Sequence, residues 1–266
     1  MTIQAPEANR ETSAKADRRL ASQWAKLGIG FNVRSTKTTP DLELLLIATT
    51  QACPHNARLF ILGVTWLAKF GIYVAAHRLK ALAVSRLDPQ DQATLAVLLE
   101  TAVEHGGPKA LRQFVVDALS KAPDPGPLLD VDRDSFADLV EAEATEVSKH
   151  WGRWVQPIEP KPDALRAPGW IVKQNPSLAW RAAHKGYLRC SLVETLSRTH
   201  LGGPVSESEL ARNCGATRAA VRAALDDLSL ELQELEVTRH QGRHGSQIRL
   251  HQSASTPSSN TAEEMG

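Results

Sequence analysis

Apolar side chains recur at helical spacing through most of the chain. Leu20, Trp24 and Leu27 share one face at spacings of four and three, which predicts a helix over Asp17–Leu27 that Gly28 and Gly30 end. Ile29, Phe31 and Val33 then alternate with Gly30, Asn32 and Arg34, the pattern of a short strand or of an extended linker that buries three side chains. Thr39-Pro40-Asp41 places a cap candidate, a proline and an acid at the next helix start, where Leu42, Leu45, Leu46 and Thr49 share a face until Pro54. Asn56 is a cap candidate for a helix with Leu59, Leu62, Trp66 and Phe70 on one face and Ile61, Val64 and Leu67 elsewhere. A helix apolar on nearly all sides is central, so Leu59–Phe70 is predicted at the middle of the core. Further helices are predicted at 73–87, 89–105, 108–121 and 132–150, the last carrying Phe136, Leu139, Val140 and Val147.

Short connections between these segments predict a compact all-helical domain over residues 17–150, preceded by a flexible arm at 1–16. Residues 151–175 break the pattern, because Pro157, Pro160, Pro162 and Pro168 forbid one continuous helix. Trp151, Trp154 and Trp170 are unusual in a disordered linker. They predict a linker that packs on both domains and sets their angle, or alternatively an aromatic ligand surface. The Ser, Thr, Pro and Glu residues of 253–266 predict a disordered tail.

Residues 176–252 form a different unit. A short helix with Leu178, Trp180 and His184 precedes Gly186, and a second helix at about 187–200 carries Leu188, Leu192, Val193 and Leu196. Gly202-Gly203-Pro204 ends it, and Val205 is a candidate one-residue strand. Ser206 and Glu209 form a capping box for a short helix with Leu210 and Ala211 inward. Asn213 to Ala216 is a tight corner around Gly215. Thr217 is an N-cap for a helix at about 218–229, where Ala220, Val221, Ala224, Leu225 and Leu228 face the core. Arg218, Ala219, Arg222 and Asp226 are left outside. Strand candidates Leu232–Arg239 and Gln247–His251 flank a polar, basic, glycine-rich tip at 240–245.

This order of elements, and the stretch from Glu209 to Leu228 in particular, resembles the winged helix-turn-helix superfamily. The run from Asn175 to Arg181, leading into Gly186 to Leu192, is similar to C-terminal winged helices of bacterial regulators that accompany nucleotidyltransferase-type and phage-defence genes. The resemblance covers about a quarter of the chain, and nothing before about residue 170 contributes to it. It implies sequence-selective binding of double-stranded DNA, often as a homodimer. A recognition helix reads base edges through its N-terminal residues and needs small side chains, hydroxyls and arginines there. Thr217, Arg218, Ala219 and Arg222 supply them. Arg212 and Asn213 are placed to reach the backbone, and Arg239, His240, Arg243 and His244 line the expected wing. Two alternatives remain open: Arg222 pairing with Asp226 at helical spacing on a solvated face, and an interaction protein of a defence or toxin–antitoxin-like system whose helical domain holds a partner protein.

Charge sharpens rather than decides this reading. The 266 residues carry a formal net charge of +1, so any DNA-binding face must be local. Glu207, Glu209, Asp226, Asp227, Glu231, Glu234 and Glu236 leave the C-terminal unit only mildly basic. Cys53, Cys190 and Cys214 are odd in number and contain no CxxC pair, which predicts no disulfide framework and fits a reducing cytoplasm. Residues 1–16 lack the apolar run of a secretory signal, and no stretch is long enough to predict a membrane span. His240 and His244 stand four apart on a hairpin rather than a helix, a poor metal pair. Asp130, Asp132 and Asp134, with Glu141, occupy first, third, fifth and twelfth positions of a calcium loop, but Ser135 replaces its glycine. They read instead as helix-start acids. No nucleophile–base pattern is present, and the sequence predicts a binding protein with neither cofactor nor metal rather than an enzyme.

Overall fold

The structure, a computed structural model, describes residues 6–130, 134–184, 187–199, 204–231, 235–239 and 246–250. Polar caps set the helix ends of the first half. Asp41, rather than Thr39, caps α2 (Leu42–Ala52) by accepting from the Leu44 amide at 3.2 Å. Asn56 caps α3 (Ala57–Phe70) through Leu59 at 3.3 Å, as predicted. Asp88 accepts from Asp91 N at 2.8 Å to start α5 (Pro89–Glu104). Between them lies α4 (Ala76–Arg86). The helix expected from Asp17 begins earlier, as α1 (Pro6–Lys26). The polar residues before Asp17 extend its first turns, since Ala, Glu, Arg and Lys favour helix without needing burial.

α3 is central, as its all-round apolar pattern predicts: Leu59, Phe60, Leu62, Val64, Trp66, Leu67 and Phe70 are all buried. It packs against α2 and α5, whose Leu95 to Leu99 are fully enclosed. Two indole N–H groups would be costly to bury unpaired. Trp24 donates to Thr49 Oγ1 at 2.8 Å and Trp66 to the Leu27 carbonyl at 3.0 Å, and their rings meet edge-on at 5.6 Å. Ile29 to Arg34 form no regular strand. Ile29 makes one bridge to Leu165 and burial alternates along the segment, so it is an extended linker, but it buries Ile29 alone and leaves Phe31 and Val33 half-buried rather than burying all three.

The segment 108–121 is helical only at α6 (Ala110–Phe114) and one following 3-10 turn. The segment 132–150 divides into α7 (Asp134–Glu143) and α8 (Glu146–Trp151). Thr145 breaks it in extended conformation, caps α8 through Ser148, and donates its own amide to the Val155 carbonyl. Two-residue strands β1 (Gly126–Pro127) and β2 (Arg153–Trp154) pair in parallel, Gly126 opposite Arg153. Residues 155–171 run back over the helical domain. Gly30 N donates to the Ala164 carbonyl at 2.7 Å, Lys161 N to Thr65 Oγ1 at 3.0 Å, and Ile171 enters the main core. Inside this proline-rich stretch α9 (Pro168–Gln174) forms after all, because Pro168 sits at its first turn, where no amide is required.

The remaining elements are α10 (Pro176–His184), α11 (Leu188–Thr199), β3 (Val205–Ser206), α12 (Glu207–Cys214), α13 (Arg218–Glu231), β4 (Leu235–Arg239) and β5 (Ser246–Leu250). The three strands form an antiparallel sheet in the order β3-β5-β4, with Ile248 opposite both Val205 and Val237. A second core of Leu192, Leu196, Leu210, Val221, Leu225, Leu228 and Ile248 holds the three helices to the sheet. The chain is therefore mainly helical. Among the described residues no helix is long and apolar enough to cross a membrane. The three cysteines are buried, and none forms a disulfide.

Candidate nucleic-acid interface

The corner between α12 and α13 is built from local hydrogen bonds that the sequence signals. Ser206 accepts from the Glu209 amide at 3.2 Å and starts α12. Gly215 ends it at φ +65°, the left-handed conformation that glycine adopts without a Cβ penalty, and its amide donates to the Ala211 and Arg212 carbonyls. Ala216 N donates to Ala211 O at 2.9 Å. Thr217 then caps α13 by accepting from Ala220 N at 3.2 Å.

α13 buries Val221, Ala224, Leu225 and Leu228, as expected. Ala220, expected to face the core, is exposed instead. It stands one turn before Ala224 and ahead of Val221, the first buried position of α13, so it widens the outward face. Thr217, Arg218, Ala219 and Arg222 share that face with it. Arg212 is exposed on the last turn of α12. Arg239 closes β4 opposite Ser246. His240, Arg243 and His244, expected at the hairpin tip, lie outside the described residues, as does Asp132 of the acidic run. Among the described residues no group of three His, Cys, Asp or Glu side chains converges as a metal site.

The electrostatics of the α13 face differ from expectation in one respect. Arg222 pairs across the corner with Glu207, Nη2 to Oε2 at 2.8 Å, rather than with Asp226 along its own helix. Arg218 stands 4.0 Å from the same carboxylate. Glu207 is 2% exposed. Its hydrogen bond and charge raise the Arg222 pKa above the ordinary guanidinium value, so Arg222 stays cationic. Its Nη1 has no hydrogen-bond partner among the described residues. On the far side of α13, Arg189 of α11 braces the helix through Asp227 and Glu231.

The sequence reading missed the buried ionic seam that fastens this module to the helical domain. Glu43 of α2 is fully buried and faces two guanidiniums. Arg181 of α10 donates from Nη2 to Glu43 Oε2 at 2.9 Å and to Glu194 of α11, and from Nη1 to the Tyr73 carbonyl at 2.7 Å. Arg78 of α4 reaches Glu43 Oε2 at 2.7 Å and Asp41 at 2.6 Å, and its Nε donates to the Asn213 carbonyl at 2.9 Å. Asn213, expected to contact DNA backbone, is thus half-buried, and its main chain is committed to α4. Arg198 at the end of α11 adds a bond to Asp41 Oδ2 at 2.7 Å. Burial alone would push the Glu43 carboxyl up, but Arg181, Arg78 and the Ala75 amide hold it down at about 2. Gly215 touches the same seam: a Cβ there would lie 2.6 Å from Ala81 Cβ and 2.8 Å from the His77 carbonyl. The available signal was Glu43 standing alone in the apolar run Leu42–Ile47, since an unpaired buried carboxylate is not tolerated.

The chain thus presents an exposed, arginine-bearing helical turn on a module joined to the helical domain by buried ion pairs, and no family model, curated protein or solved structure matches it.

Proposed function

We propose that the C-terminal module is a winged helix-turn-helix and that the protein is a sequence-selective, duplex-DNA-binding transcriptional regulator rather than an enzyme. The observation that carries this reading is the first turn and a half of α13. Thr217, Arg218, Ala219, Ala220 and Arg222 are all exposed there, on a helix that packs against β4 of the antiparallel pair β4 and β5. Two small alanines between two arginines allow close approach to a groove, and the arginines can donate to guanine edges or phosphates. The free amides at the start of α13 favour a phosphate by the same geometry.

The alternative, an interaction protein of a defence or toxin–antitoxin-like system, is favoured by Glu207, whose carboxylate offsets part of the charge of Arg218 and Arg222. Selection from a randomised duplex library with the purified full chain separates the two. The DNA reading expects enrichment of a sequence motif and an affinity that falls steeply between about 50 and 200 mM salt. Absence of enrichment, together with no duplex binding at low salt, overturns it in favour of the protein partner.

A further inference from the structure

A second basic surface lies away from α13, in an open cleft of about 570 Å³ between α1 and the extended segment after Phe31. Its lining is Lys15, Arg18, Arg19 and Ser22 of α1 with Asn32, Val33 and Arg34, and it contains no carboxylate. Lys15, Arg18, Arg19 and Ser22 fall at helical spacings of three and four, so one face of α1 presents them together. Among the described residues none of the four cations is in an ion pair. The nearest acid on α1, Asp17, points elsewhere and accepts from Asn56 at 3.0 Å.

The cleft is preorganised. Leu20, Trp24 and Leu27 anchor α1 in the main core. The Thr36 amide donates to the Ser22 carbonyl at 3.1 Å, and the Gly30 carbonyl accepts from Arg58 at 3.1 Å. Four like charges that line one cleft with no carboxylate among its described lining residues, in a chain of net charge +1, are mutually repulsive unless an anion is present. One phosphate occupies two or three such donors. Four cations spread over two chain segments match a run of phosphates. The segment leaving the cleft also leads to the module: the Pro40 carbonyl accepts from Arg198, and six residue steps from Arg34 to Pro40 span at most about 22 Å.

We propose that this cleft is a nucleic-acid backbone site, which grips the phosphates of duplex DNA flanking the segment held by α13. It rests on the DNA reading of the C-terminal module, and the following test separates the two. Binding of the full chain to a labelled random-sequence duplex of about 30 base pairs is measured across a salt series, beside a duplex of about 12 base pairs. Arg18→Ala/Arg34→Ala should bind the longer duplex at least about tenfold more weakly at about 50 mM salt, with a salt slope lower by about two, and lose little on the shorter one. Arg18→Lys/Arg34→Lys should keep the slope. Unchanged affinity and slope in the alanine pair overturn the proposal, as does wild-type protein that binds anionic phospholipid vesicles and no duplex. If Arg218→Ala/Arg222→Ala leaves binding intact while the cleft pair abolishes it, the cleft stands and the reading of α13 falls.

Discussion

The seam between the two halves of the molecule and the outward face of α13 use the same chemical pair under opposite conditions. At the seam Arg181 is 1% exposed, and its three nitrogens donate to Glu43, Glu194 and the Tyr73 carbonyl. On α13 the Arg222 side chain is 52% exposed, holds one edge of Glu207 and keeps donors facing solvent. A buried guanidinium with every donor engaged is a structural part. Removing either partner strands a charge in a medium that cannot solvate it. A half-exposed one can keep its carboxylate, here the buried Glu207, and still turn its remaining donors to another anion. Burial, not residue type, separates the arginine that holds the module from the arginine available to a ligand.

The largest expected effect tests the first half of that contrast. Arg181→Ala leaves Glu43 buried against Arg78 alone and should cost about 3–5 kcal/mol of stability in urea unfolding. A loss below about 1 kcal/mol would show that the seam is not structural.

Acid should attack the same place. The Glu43 pKa is lowered from 4.5 to about 2 in the folded chain. A carboxylate held below its unfolded value contributes stability that is fully present above about 4.5 and is lost as the pH falls from there towards 2. The integrated loss is of order 3 kcal/mol. His77, beside Gly215 at the seam, adds a loss in the same direction that begins as the pH falls below its ordinary value of 6.5. Burial lowers its pKa, so protonation below its ordinary value favours the unfolded chain. Melting temperature measured against pH should drop through this window, and Glu43→Gln should flatten the drop. An equally steep profile in Glu43→Gln would locate the acid sensitivity elsewhere.

Gly215→Ala combines two costs, a left-handed residue with a Cβ and a collision with α4. Together with the overpacking this should cost about 2–4 kcal/mol. Ala81→Gly in the same chain should recover the contact with Ala81 but neither the contact with the His77 carbonyl nor the left-handed backbone part, and full recovery or none would refute the division.

The exposed side of the contrast predicts a smaller effect on specificity. Arg222→Ala should weaken binding to a selected site more than to scrambled duplex, by about 1–3 kcal/mol of discrimination. Arg243→Ala should weaken both alike and lower the salt slope by about one. An unchanged specificity ratio for Arg222→Ala would remove α13 from the reading role.

What was legible in the sequence was local. The caps at Asn56, Ser206 and Thr217 involve bonds to amides three residues on, and all three form. The centrality of α3 followed from its apolar positions alone. So did the outward set Arg218, Ala219 and Arg222, since a helix repeat of 3.6 sorts inward from outward residues without knowledge of the partner. Ala220 escaped this logic because alanine is compatible with either side, and only the extent of the facing core decides.

The chain pattern by itself determined that this protein is mainly helical, where most of its helices start and stop, and which arginines stand at the front of α13. Tertiary structure decided what those charges do. Glu43 and Arg181 are 138 residues apart, and Arg222 and Glu207 belong to different helices. No periodicity relates such positions, since ion pairing depends on the distance and burial that packing imposes after the helices exist. The same holds for the start of α1 and for the cleft beside it. There Arg34 and Arg18 come to line one cleft because Leu20, Trp24 and Leu27 seat α1 in the core.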